Sequence, residues 1–296
     1  MHWSLLPMAL LAASPAMAES GVQIVGHWIA GCDNENVCTA IRPAWDAVDV
    51  LPNIPGTPFL KMRHHPHRDA TPEFWLVDPE NPAPLAVLKP PLVSMVFHFN
   101  DSNGVGNALA YRAVIDGEGG YRFLEKDARS ILYGLRKAKY AVVTIADRPS
   151  FILQPGAFDE ILAFFDRSQE LEDTPGALVL RPDGVMYDYN HPRPPEADTV
   201  QLSPFTKEQF DKWLAAYLKN HPGQKVKHEQ EARRGLITAI RYNSFDFDCG
   251  IFERWGHIGT TNDFVLVERR EMPVCAGLPV RYWIRTYRAE AISPDK

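Results

Sequence analysis

Beyond residue 18 the sequence has no apolar run of the roughly 20 residues that a membrane-spanning helix needs. It has no basic tract either. Lys and Arg number 31 against 37 Asp and Glu, for a net charge of −6. An acidic chain without a basic patch is poorly suited to nucleic acid or an anionic membrane, so neither is an expected partner. A Cys-x-x-Cys redox pair is missing. So are G-x-S-x-G and H-E-x-x-H, the signatures of esterase-type nucleophiles and zinc peptidases. The glycines of "NGVG" and "GEGG" lack the Lys-Ser/Thr and the strand–loop–helix setting of a phosphate loop. There is no internal repeat and no low-complexity tract. No cofactor is expected.

What is present begins with a leader. Residues 3–13 are almost wholly apolar, and Ala16-Met17-Ala18 has the small-x-small form that signal peptidase accepts. Residues 1–18 read as a signal peptide, and the mature chain as periplasmic or secreted, without a transmembrane anchor. The competing reading of this stretch is a buried first strand or short helix. Glu19 follows the site where a lipoprotein would have Cys.

The cysteines Cys32, Cys38, Cys249 and Cys275 all lie beyond the leader. An even count in an oxidising compartment reads as two disulfides. Three pairings are open. Sequence proximity favours Cys32 with Cys38 and Cys249 with Cys275. A zinc site of all the thiolates is the alternative, although the C-x5-C and C-x25-C spacings lack short C-x2-C knuckles.

Periodicity predicts an α+β chain of two β-rich domains. Residues 19–182 read as a mixed sheet or sandwich with two helices. Strand pairs are expected at "VQIVGHWIAG"/"VCTAIRP", "FLKMRHH"/"EFWLVD" and "ALAYRAVID"/"GYRFLEK". Ala128, Ile131, Leu132, Leu135 and Ala138 recur at helical spacing. Phe158, Ile161, Leu162 and Phe165 do the same, with Pro155 expected in the first turn of that helix. "GALVLRP" reads as one more strand. A Pro-rich linker at 183–200 separates this part from residues 201–296. There Thr206 and Gln209 predict a capping box, and the helix they open is expected to cover a four-stranded antiparallel sheet.

Few residues suggest chemistry. His64, His65 and His67 in "RHHPHRD" could bind zinc, copper or nickel, with Asp69 the nearest further ligand; an exposed polar loop is the plainer alternative. His98 and Asp101 in "FHFND" could form a dyad, but a histidine between phenylalanines usually packs. Asp246 and Asp248 beside Cys249 could serve as paired carboxylates or simply be solvated. Trp28, Trp75, Trp255 and Trp283 are expected to pack the cores.

Four blocks in order resemble the domain-of-unknown-function 1176 family of exported bacterial proteins: "HWIAGCDNENVCTA", "ILYGLRKAKYAVVTI", "FILQPGAFDEILAFFDRSQ…TPGALVLRPDG" and "FDFDCGIFERWG…FVLVERREMPVCAG…WIRTYRAE". The chain resembles a divergent, shortened member. It lacks the family's Cys-Gly-x-Gly-Ala-Tyr-Asn-like element and the Gly-x-Gly before Asp-Cys-Gly, and Tyr287 stands where a Trp is expected. The first block is also similar to the invasion-associated locus B family. The resemblance supplies no catalytic residues, and it implies that Cys32 and Cys38 form a local disulfide. The expected function is a non-enzymatic envelope module that binds a protein or small ligand. The alternative is a metal-binding protein or hydrolase built on His64, His65 and His67.

Overall fold

The computed structural model describes residues 21–44, 58–66, 71–79, 92–99, 107–115, 120–145, 150–172, 177–179, 198–243, 249–259, 263–275 and 278–293. Among the described residues ten strands come first: β1 (Val22–Val25), β2 (Trp28–Cys32), β3 (Cys38–Pro43), β4 (Phe59–His64), β5 (Glu73–Val77), β6 (Leu92–Phe99), β7 (Asn107–Ile115), β8 (Tyr121–Phe123), β9 (Ala138–Ile145) and β10 (Phe151–Leu153). They form one sheet in the order β1-β2-β3-β4-β5-β8-β7-β6-β9-β10, antiparallel at every pairing. Helix α1 (Glu125–Lys137) enters between β8 and β9, and α2 (Phe158–Ser168) follows β10.

The second sheet holds β11 (Asp198–Gln201), β12 (Lys225–Glu231), β13 (Leu236–Tyr242), β14 (Gly250–His257), β15 (Phe264–Met272) and β16 (Ile284–Ile292), with α3 (Lys207–Asn220) between β11 and β12. Its order is β11-β16-β15-β14-β13-β12, and only β11 runs parallel to its neighbour. The α+β class and the three helices are as the sequence predicts.

Strands β2 to β5 are buried along nearly their whole length because both of their faces are covered. Trp28, Ala30, Leu60, Met62, Phe74 and Leu76 face a core shared with Val93, Met95 and Phe97 of β6 and with Ile131, Leu162 and Phe165 of α1 and α2. The intervening Ile29, Ile41, Phe59, Trp75 and Val77 face a second core, completed by Met272 and Ile284 from the other sheet and by Tyr282 and Trp283 just before β16. The two sheets thus share an apolar layer. Two glycines allow close approach. A Cβ on Gly134 of α1 would lie 2.6 Å from the Phe97 ring, and one on Gly31 of β2 would lie 2.9 Å from Ile284 of β16.

Cys32 and Cys38 are opposite each other in the β2–β3 register and are bonded. Cys249 is bonded to Cys275, joining the start of β14 to the end of β15. Asn36 takes φ 58° in the turn that the first staple closes, a conformation asparagine tolerates. The capping box at α3 is formed: Gln209 N–H donates to Thr206 Oγ1 at 3.3 Å and Thr206 N–H donates to Gln209 Oε1 at 2.8 Å.

Some local expectations differ. The second sheet has two more strands than predicted, since β11 and β12 are largely exposed and carry no apolar alternation. Pro155 precedes α2 instead of opening it, and its carbonyl accepts the Trp28 indole N–H at 2.5 Å. In "GALVLRP" the described residues 177–179 are not strand. The N–H groups of Leu178 and Val179 go to the Asp166 carboxylate, each at 2.8 Å. Most of the predicted linker lies outside the described residues.

Candidate functional site

Strands β4, β5 and β8 lie side by side, with Lys61 opposite Trp75, Arg63 opposite Glu73 and Trp75 opposite Arg122. Alternation places these charged side chains together, because the intervening Leu60, Met62, Phe74 and Phe123 belong to the helix-side core. Trp75 is 5% exposed. Lys61 Nζ and the guanidinium carbons of Arg63 and Arg122 stand 5.1, 5.0 and 5.8 Å from its ring, within cation–π range. One indole therefore collects cations from two neighbouring strands.

Glu73 closes this row. Its carboxylate holds Arg122 Nη2 through one oxygen and lies 3.7 Å from His65 Nε2 through the other. The His65 contact, then the Arg122 and Arg63 charges, hold the Glu73 carboxyl below the usual carboxylate range despite the opposing effect of burial. Next to this pair is a groove of about 290 Å³, near the lower end of small-ligand sites. His65, Thr71, Glu73, Arg122 and Glu125 give it a polar side; Pro72, Phe123 and Leu124 give it an apolar one.

The histidines of "RHHPHRD" separate. His64 is fully buried at the end of β4, and its Nδ1 lies 2.6 Å from Gln169 Oε1 at the end of α2. Gln169 Nε2 returns two hydrogen bonds, to the Asn36 carbonyl at 2.7 Å and the His64 carbonyl at 2.9 Å. His64 thus ties the stapled hairpin to α2. His65 reaches the groove. His67 lies outside the described residues, as do Asp69, Asp101, Asp246 and Asp248. Among the described residues no three His, Cys, Asp or Glu side chains are placed to hold a metal ion. His98 stacks on Tyr140 with ring centres 4.4 Å apart.

Under α3 is a charged network that the sequence reading does not contain. Tyr217 Oη donates to Glu253 Oε2 at 2.6 Å, Arg241 Nη2 donates to Glu253 Oε1 at 3.2 Å, and Arg269 Nε pairs with Glu271 at 2.8 Å. Glu253 is 1% exposed. Such a group stays charged inside a protein only when paired. A sign of it was present in the strands themselves: "AIRYN", "IFERWG" and "LVERRE" each carry charge inside a strand pattern, and their register brings Arg241, Glu253 and Arg269 near one another.

No family model matches the sequence, and no curated protein does. Among solved structures, that of invasion associated protein B from Bartonella henselae is similar, at 16% identity and a TM-score of 0.33, covering 50% of this chain and 98% of that one.

Proposed function

We propose that the chain is an exported, non-enzymatic binding module of the bacterial envelope, and that its ligand occupies the groove beside His65, Glu73 and Arg122. The observation that carries the exported reading is the pair of disulfides, which account for all the cysteines. Structural disulfides persist in oxidising compartments. No described helix is long and apolar enough to cross a membrane. The motif blocks that resemble the domain-of-unknown-function 1176 family support the same reading. The groove offers a guanidinium and an imidazole beside carboxylates, together with apolar side chains. That mixture suits a polar ligand with an apolar flank, such as an envelope peptide or a small amphiphile.

The test is fractionation of cells expressing the full chain, followed by mass spectrometry. The expected result is a periplasmic or secreted product cleaved after Ala18, with the mass of the doubly disulfide-bonded chain. A photo-crosslinking residue at Thr71 should capture an envelope component, and Arg122→Glu should reduce the yield. A product held in the cytoplasm with free thiols overturns the reading.

One observation favours a second reading, metal binding. Glu73 approaches Nε2 of His65 and leaves Nδ1 open, as in the carboxylate–histidine pairs that orient metal ligands. Zinc affinity of the full chain would then fall in His65→Ala and be unchanged in His64→Ala.

A further inference from the structure

We propose that the chain self-associates through β12, two copies pairing antiparallel so that their second sheets join into one. β12 is the last strand of its sheet. All seven of its residues pair with β13 on one side, and among the described residues no strand pairs on the other. In an antiparallel ladder every second residue turns its N–H and C=O away from the existing neighbour. Edges of this kind are either blunted or used; β12 contains no proline or bulge, and its charges keep out any strand that does not complement them.

Its sequence commits it to one occupant. The strand reads Lys225-Val226-Lys227-His228-Glu229-Gln230-Glu231, basic in its first half and acidic in its second. Turned about His228 and laid antiparallel on a second copy, Lys225 falls opposite Glu231 of that copy and Lys227 opposite Glu229. Val226 meets Gln230, and His228 meets itself. Each ion pair occurs twice because the arrangement is two-fold. A parallel, in-register arrangement would set Lys beside Lys and Glu beside Glu, so the charge order selects the antiparallel one.

The register with β13 places the charges on one face. Lys225, Lys227, Glu229 and Glu231 pair with Tyr242, Ile240, Thr238 and Leu236. Val226, His228 and Gln230 pair with Arg241, Ala239 and Ile237 on the α3 side, where His228 lies 5.6 Å from Phe210. The ion pairs would thus form a single row on the face away from α3, clear of the helix. Lys225, Lys227 and Glu229 are exposed. Glu231 holds Arg234 at 3.1 Å through one carboxylate oxygen, which leaves the other for a partner.

Sedimentation velocity and native mass spectrometry of the mature, disulfide-bonded chain test this. The expected result is a concentration-dependent dimer that weakens as salt rises from ~0.05 to ~0.5 M. Lys227→Glu alone, or Glu229→Lys alone, puts like charges opposite each other and should raise the dissociation constant about tenfold or more. The double swap K227E/E229K restores opposite charges and should restore the dimer. Both positions are exposed, so the thermal midpoint of the monomer should not move in any of the variants. A chain that stays monomeric at ~100 μM and low salt overturns the proposal; such a concentration would reveal even a weak dimer. A dimer indifferent to the single reversals also overturns it, as does a double swap that fails to rescue.

Discussion

Asn34 and Arg288 hold each other at both ends of one side chain. Asn34 Nδ2 donates to the Arg288 carbonyl at 2.8 Å, and the Arg288 N–H donates to Asn34 Oδ1 at 2.7 Å. An amide side chain here does what a neighbouring strand would do, 254 residues away in sequence. Asp33 reinforces the contact by accepting Arg285 Nε at 3.2 Å, while its other oxygen takes the N–H groups of Glu35 and Val37. The stapled turn between β2 and β3 is therefore a clip onto β16, set beside the shared apolar layer.

Asn34→Ala removes both bonds of the clip. At an exposed position the expected cost is about 1 kcal/mol, read by urea unfolding. The diagnostic measurement is amide exchange. The Arg288 N–H should lose protection in the variant while β13 and β14 keep theirs. Unchanged exchange at Arg288 would show that the clip holds nothing.

The two disulfides should differ in worth. Loop-closure entropy gives about 2 kcal/mol for Cys32–Cys38 and about 3.5 kcal/mol for the longer Cys249–Cys275 loop. Replacing each pair with serine and comparing midpoints checks the order. The shorter loop carries an additional signature, because the clip depends on its shape. C32S/C38S should increase exchange at Arg288, and C249S/C275S should not.

The sequence showed the staples, the helices and most of the strands, because each of these is a local pattern. Period-two alternation marks β13, helical spacing marks α1 and α2, and Thr206 with Gln209 marks the start of α3. Other features depend on partners far away in sequence. Nothing in "CDNENVC" says that its asparagine will meet residue 288. Nothing in "RHHPH" says that His64 will turn inward to Gln169 while His65 turns to Glu73. β12 is hard to see as a strand because an exposed edge has no buried face to impose alternation. The row Lys61, Arg63, Glu73, Trp75 and Arg122 is visible as charge within strands only once the β4–β5–β8 register is known.

His64 and His65 should behave differently on substitution. His64→Ala leaves a buried Gln169 carbonyl oxygen without its partner, which costs about 1–3 kcal/mol before any cavity is counted. His65→Ala should change stability by less than about 0.5 kcal/mol near neutral pH. That small loss belongs to neutral pH and vanishes in acid, where Glu73 is protonated. Glu73 has a depressed carboxyl value when folded, so its stabilisation is present above the ordinary carboxylate range and is lost as pH falls through the folded value. Removing His65 takes away the largest cause of that depression. The Glu73 carboxyl, followed by carbon-13 NMR, should titrate at higher pH, and a titration that does not move would remove His65 from the site.

Asp166 gives the opposite case. Burial raises its carboxyl value, and the N–H groups of Leu178 and Val179 only partly offset that. A raised value means that ionisation costs stability as pH rises through it. Neutralising the side chain by Asp166→Asn removes that cost, yet the geometry predicts a net loss. The carboxylate accepts one N–H on each oxygen, whereas an amide has one acceptor and would turn its NH2 toward the other donor. The expected cost is about 1–3 kcal/mol at neutral pH, with faster exchange at one of Leu178 and Val179. Equal or greater stability would mean that desolvation of the charge outweighs both hydrogen bonds.

Tyr217 and Glu253 make the alkaline limb of stability predictable. The phenol is buried under α3 and donates to a carboxylate, and both burial and the Glu253 charge raise its value above the ordinary 10.0. A group raised in the folded state contributes fully below its unfolded value and is lost as pH climbs from there through the folded value. Stability should therefore decline above about pH 10, and the ultraviolet signature of Tyr217 ionisation should arrive with unfolding and not before it. Tyr217→Phe abolishes this late titration and costs about 1.5–3 kcal/mol at neutral pH, since Glu253 loses a charge-assisted bond. Glu253→Gln leaves Arg241 without its carboxylate and should cost more, about 3–5 kcal/mol. A Tyr217 signal that titrates freely near 10.0 in the folded chain would mean that water reaches the layer beneath α3, and the network would then be a surface feature.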